Sequence, residues 1–154
     1  MEYSKLNIRN EAIVRGVVEL INQEYQNDLT NEHIQNVLDV ERHSFVAHQG
    51  NTVHGFILIS IPKRNPLMSH FIVDQGQRRK GIGKRLITMC LEDIDDYSRR
   101  HDNAYSSVYL HVPLSAETAK KTYEINGFQN DGLQKRDGLL GTPTQKMTRK
   151  IQQY

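Results

Sequence analysis

The stretch Phe71-Ile72-Val73-Asp74-Gln75-Gly76-Gln77-Arg78-Arg79-Lys80-Gly81-Ile82-Gly83-Lys84-Arg85-Leu86 decides how the chain is read. An apolar run from Leu67 to Val73 has the character of a strand and feeds a polar, glycine-containing turn. From about Gly81 to Arg100 the pattern becomes helical, with Ile82, Leu86, Met89, Cys90 and Tyr97 on the buried stripe. The first backbone N–H groups of a helix have no internal acceptor and point at one place, so with the helix dipole they make an anion site. Glycine at 81 and 83 lets a phosphate approach the backbone, and Arg78, Lys80 and Lys84 add positive charge. The spacing is neither the Walker pattern nor Gly-x-Gly-x-x-Gly. The plain alternative is a glycine-rich surface turn with solvated Lys and Arg side chains.

Working outward, Leu6-Asn7-Ile8-Arg9 alternates like a short strand. Residues Glu11 to Gln23 place Ile13, Val17, Leu20 and Ile21 on one helical face. Thr30 offers an N-cap for a second helix carrying Ile34, Val37 and Leu38. Ser44 to Ala47 and Val53 to Ile61 read as two strands joined by a turn at His48-Gln49-Gly50-Asn51. Beyond the long helix, Val108 to Val112 is a strand ended by Pro113. Ser115 is placed to cap a helix running to Asn126, with Gly127 as its stop. Phe128 to Ile151 suits a terminal hairpin with a loop around Gly138 to Pro143. The order β-αα-βββ-α-β-α-ββ describes one mixed α/β domain over residues 1–154.

Composition narrows the function classes. The chain has 154 residues, is 25% charged, and carries 20 Lys+Arg against 18 Asp+Glu, too balanced to argue for nucleic acid by sum alone. No apolar run approaches the ~20 residues of a membrane span, and one cysteine, Cys90, excludes an internal disulfide and a multi-cysteine zinc site. A soluble, cytoplasmic protein is expected. Charge is segregated: from Gly16 to Glu41 there are Glu19, Glu24, Asp28, Glu32, Asp39 and Glu41 with no Lys or Arg, whereas Gln77 to Arg85 contains no acid. His43, His48 and His54 lie near one hairpin without a carboxylate at a fixed spacing, so no metal is expected. His70 and His111 lie on strands that would flank a cleft.

Arg78-x-x-Gly81-x-Gly83, five residues beyond a strand-ending Val73, resembles the coenzyme A pyrophosphate loop of the GCN5-related N-acetyltransferases (GNAT). Leu110-x-Val112, Ala119, Tyr123 and Gly127-Phe128 are similar to the family's later strand-helix-strand signature, in the family's order and separation. The resemblance implies an acyl-CoA N-acyltransferase fold: a mixed, mostly antiparallel central sheet of about seven strands flanked by helices on both faces. The strands at Leu67–Val73 and Val108–Val112 would lie parallel and splay apart. It also implies acetyl-coenzyme A as co-substrate, held by Phe71, Ile72, Val73, Arg78, Arg79, Lys80, Gly81, Ile82, Gly83, Lys84, Ala119 and Tyr123. Backbone N–H near Val73 would hold the oxyanion, and Tyr123 would protonate the departing thiolate.

Three positions depart from the family. Its frequent asparagine is Ala116 here. Its usual glycine after the turn's arginine is Arg79, which fits if that backbone is helical. Alternation along the strand puts Leu67, Ser69 and Phe71 on the face of Val73 and His70 on the other, so no general base is assignable. The implied reaction is acetyl transfer to a primary amine in a ternary complex, on a small molecule or peptide that the acidic segment would favour as cationic. A homodimer would be built through the terminal hairpin. Two other classes stand beside the enzyme: a non-catalytic acyl-coenzyme A-binding regulatory module, and a nucleic-acid-binding module using Arg78 to Arg85. The second lacks interleaved aromatic residues and any recognition motif.

Overall fold

The computed structural model describes residues 1–25, 42–136 and 143–154. The expected helix after Thr30, four of the six acids between Gly16 and Glu41, and most of the loop before Pro143 lie outside them. Seven strands form one sheet of order β1-β2-β3-β4-β5-β7-β6: β1 (Glu2–Lys5), β2 (Phe45–Gln49), β3 (Thr52–Ser60), β4 (Leu67–Val73), β5 (Ser107–Pro113), β6 (Gln129–Arg136) and β7 (Pro143–Lys150). Among the described residues three α-helices, α1 (Glu11–Tyr25), α2 (Ile82–Arg100) and α3 (Glu117–Ile125), accompany them. Every pair but β4–β5 is antiparallel.

Two apolar clusters place the helices on opposite faces. Val14, Val17 and Ile21 of α1 meet Val46, Phe56, Leu58 and Ile72 on one side. The helix lies so close to β3 that a Cβ on Gly16 would stand 2.6 Å from Val53 Cγ2, so only glycine fits there. On the other side Leu86, Ile87, Cys90 and Ile94 of α2 meet Ile57, Ile59, Leu110 and Val112, and Ala119 and Tyr123 of α3 pack against the same cluster. Burial of each large aliphatic side chain is worth about 1.5–3 kcal/mol, and this holds helices too short to persist alone.

The strand expected at Leu6–Arg9 ends before it begins, because β1 covers Glu2–Lys5 instead. Asn7 turns the chain: its side-chain oxygen accepts from Arg9 N–H at 2.9 Å and its carbonyl from Asn10 N–H at 3.0 Å. Asn10 then accepts from Ile13 N–H at 3.3 Å, satisfying the start of α1. Ser115 does not cap α3 either. Its carbonyl takes Glu117 N–H at 3.0 Å, Ala116 occupies the cap position without a side-chain bond, and the turn from Pro113 delays the helix.

The acids near the C-terminal end of α2 oppose the helix dipole, and three of them are matched by cations. Asp96 pairs with Arg99 and Arg100, Asp95 takes a two-pronged contact from Arg149 of β7 at 2.9 Å, and Asp93 meets Lys5 at 3.1 Å. Asp93 also accepts from Nδ1 of the buried His43 at 2.8 Å, whose Nε2 then receives the Tyr105 hydroxyl at 2.8 Å. Burial holds the His43 imidazole below its ordinary pKa, outweighing the carboxylate beside it.

Candidate active site

The site begins where β4 and β5 part. Their only partner pair is Leu67 with Tyr109, supported by a bond from Tyr109 N–H to the Pro66 carbonyl at 3.1 Å. Beyond it the strands diverge, as expected, and the edges of Phe71–Val73 and His111–Pro113 are not paired with each other. A cleft of about 720 Å³ opens here between the C-terminal end of β4, the turn after it, the start of α2 and one face of α3.

Helix geometry makes one end of this cleft electropositive. Gly81 stands before α2 with φ +82°, a left-handed conformation that glycine adopts without strain. The first helical bond runs from Arg85 N–H to the Gly81 carbonyl at 3.1 Å. The N–H groups of Ile82, Gly83 and Lys84 therefore have no intrahelical acceptor, and all three residues line the cleft. Arg78 and Arg79 line it too, whereas Lys80 does not and reaches Gln77 at 3.5 Å. Arg79 departs from the helical backbone expected of it. Its φ is +66°, so a bulky side chain occupies a left-handed turn position at a cost of about 1–2 kcal/mol.

Phe71, Ile72, Val73, Ala119 and Tyr123 complete the lining residues expected from sequence. Sequence reasoning missed Gln77, Thr88, Thr118, Thr122, Ile125, Asn126 and Glu24, which line the same space. The exposed face of α3 and its C-cap Asn126 supply four of these, and nothing in their spacing separates them from an ordinary solvated helix face. Tyr123 sits between Phe71 and Phe128, with ring centroids at 6.5 and 5.9 Å. Burial, with a smaller contribution from Tyr25, pushes its hydroxyl pKa up to about 12, so it keeps its proton at neutral pH.

The alternation expected along β4 fails at one place. The register with β3 shifts between Leu58 and Ile59, so Leu58 faces His70 but Ile59 faces Met68, and Ser69 is the extra residue. Met68, not Ser69, therefore shares the α2 face with Phe71, and Ser69 bonds the Leu58 carbonyl at 3.2 Å. His70 lies on the α1 face, where Tyr25 meets its ring edge-on at 6.3 Å. His111 is also on that face, because Val108, Leu110 and Val112 point to α2. Neither imidazole lines the cleft.

The hairpin histidines scatter. His43 goes to Asp93 and Tyr105, His48 to Ser4 and the Gly50 carbonyl, and His54 to Gln49. Among the described residues no group of three His, Cys, Asp or Glu side chains is placed to hold a metal ion.

An open mixed sheet that parts at its parallel pair, with a helix N-terminus at the gap, is the acetyltransferase architecture, and comparison with known proteins agrees. The model of the acetyltransferase (GNAT) domain matches residues 6–148, and the chain belongs to that family. It is an acyltransferase that uses acetyl-coenzyme A as co-substrate. No curated protein sequence matches the chain. Among solved structures it is similar to the NatC complex bound to Gag peptide and CoA, at 20% identity and TM-score 0.79 over 98% of each chain. It is similar to the ribosomal-protein-S18-alanine N-acetyltransferase from Escherichia coli, at 16% identity and TM-score 0.77 over 99% of this chain and 95% of that one. An aminoglycoside 6'-N-acetyltransferase complexed with coenzyme A matches at 17% identity and TM-score 0.76, covering 100% and 99%.

Proposed function

We propose that this chain transfers an acetyl group directly from acetyl-coenzyme A to a primary amine, with both substrates bound at once. One observation carries the reading: the N-terminal end of α2, the parted edge of β4 and Tyr123 all line one cleft. The donor supplies the activated carbonyl and a thiolate leaving group. In this reading the N–H groups of Ile82 to Lys84, with Arg78 and Arg79, hold the pyrophosphate. The free edge of Phe71–Val73 holds the pantetheine arm, and the wall formed by Ala119 and Tyr123 excludes water. Backbone N–H near Val73 stabilises the charge that develops on the carbonyl oxygen. Tyr123 donates a hydrogen bond to the departing sulfur.

The acceptor enters on the opposite side of the gap, the α1 face, which carries His70 and His111. An amine of a peptide or small molecule is the acceptor class, in keeping with the Gag peptide, S18 alanine and aminoglycoside named for the similar structures. Glu19 and Glu24 on α1, with the acids that follow in sequence, favour a cationic one. Initial rates with both substrates varied test the ternary complex: intersecting lines support it, and parallel lines, the signature of an acetylated enzyme, oppose it. A screen in which acidic acceptors outperform polyamines and basic peptides would sink the charge preference.

A further inference from the structure

We propose that Glu24 is a built-in competitor for the donor's phosphates, holding Arg78 until the donor displaces it. The inference rests on the donor site assigned above. Glu24 stands in the last turn of α1 and reaches across the mouth of the cleft. Its Oε2 accepts from Arg78 Nη2 at 3.4 Å, while Arg78 Nε donates to the Val73 carbonyl at 3.0 Å. The backbone contact fixes where the guanidinium points, and its outer N–H groups go to whichever anion is present. Carboxylate and phosphate are alternative partners for that fork.

The setting argues for exchange. Both side chains are close to half exposed, at 43% for Glu24 and 46% for Arg78, so water can replace either partner without burying a bare charge. Both line the cleft, and both line a smaller cavity of about 130 Å³ between α1 and the turn after β4, so the ion pair is the partition between the two spaces. Among the described residues lining the cleft, Glu24 is the only acid, against Arg78, Arg79 and Lys84. An acid in an anion site lowers the affinity of every ligand that carries the same phosphates. Acetyl-coenzyme A and the product coenzyme A are weakened together, and the product leaves sooner, which raises turnover wherever release limits it. Glu24 thereby acts through Arg78 and sets donor affinity.

Titration calorimetry with coenzyme A, on the wild type, Glu24→Gln, Glu92→Gln, Arg78→Gln and the Glu24→Gln/Arg78→Gln double variant, tests this. Glu24→Gln is expected to tighten coenzyme A binding about two- to fivefold, the range for an exposed ion pair, and to slow its dissociation in stopped flow. Glu92→Gln, an exposed acid of α2 outside the cleft lining, should leave binding unchanged, and the Glu24→Gln effect should vanish in the Arg78→Gln background. Unchanged or weaker binding by Glu24→Gln overturns the proposal, the second because it would mean that Glu24 orients Arg78 for the phosphate. Equal tightening with Arg78 absent overturns it too, leaving only general charge. A wild type that binds no coenzyme A overturns the donor site itself and this inference with it.

Discussion

Replacing Tyr123 by Phe removes one hydroxyl from the cleft and keeps the ring that packs between Phe71 and Phe128. The size of the effect follows from acidity. With its pKa pushed up to about 12, Tyr123 is a weaker acid by three to four orders of magnitude than a thiol of pKa about 8.5. At about 1.36 kcal/mol for each order, complete proton transfer to the thiolate would be uphill by roughly 4–5 kcal/mol. In the proposed reaction Tyr123 would therefore serve as a hydrogen-bond donor to the departing sulfur, with full protonation coming later from solvent. A hydrogen bond to a charged group is worth about 1.5–3 kcal/mol, so the chemical step should slow by roughly 10- to 150-fold. Single-turnover measurement of acetyl transfer reads that step without interference from product release. Coenzyme A affinity by calorimetry should change little, because the bond forms only as charge builds on sulfur. A Tyr123→Phe variant that transfers acetyl at the wild-type rate in a single turnover would refute this role and leave Tyr123 as a packing residue.

Arg79→Gly should raise unfolding stability by about 0.5–1 kcal/mol, since relief of ~1–2 kcal/mol at a positive φ is partly offset by the entropy glycine loses on folding; denaturant midpoints check this, and coenzyme A should bind more weakly for want of one cation. Gly83→Ala should fold normally, because a Cβ there would touch Phe71 Cζ at 3.4 Å and Val73 Cγ2 at 3.5 Å, ordinary contacts. That methyl narrows the donor cleft between α2 and β4, so coenzyme A affinity should drop while the thermal midpoint holds; a variant with unchanged affinity argues against that path for the donor. For His43, burial favours the neutral ring, so the unfolded chain takes up a proton first, at its ordinary pKa of about 6.5. Stability is full above that value and should decline as pH falls from 7.5 to 5.5, and His43→Gln should flatten the decline in urea midpoints. An unaltered slope in the variant would assign the pH dependence to other groups.

Much of this was legible in the chain itself, and the reasons are physical. The run from Leu67 to Val73 and the stripe from Ile82 onward are long and strongly periodic, so β4 and α2 fall where the pattern puts them. The glycines at 81 and 83 marked a helix start that opens on the cleft. What failed was local. The Asn7 turn competes with a short alternating segment and wins, and two-residue periodicity cannot foresee the extra residue at Ser69 that reverses the faces of β4. Arg79 in a left-handed turn breaks a local rule at the donor loop, which no propensity would indicate. Glu24 and Arg78 are 54 positions apart, and only the packing of α1 beside β4 brings them together.

The most direct measurement supplies purified protein with acetyl-coenzyme A and a panel of primary amines, and follows free thiol and acetylated amine together by mass spectrometry. Thiol release that depends on the amine, matches acetylated product one for one, and is suppressed by Gly83→Ala is the predicted result. Tight binding of acetyl-coenzyme A with no amine-dependent thiol release across the panel would contradict it, and would make the cleft the donor site of a regulatory module.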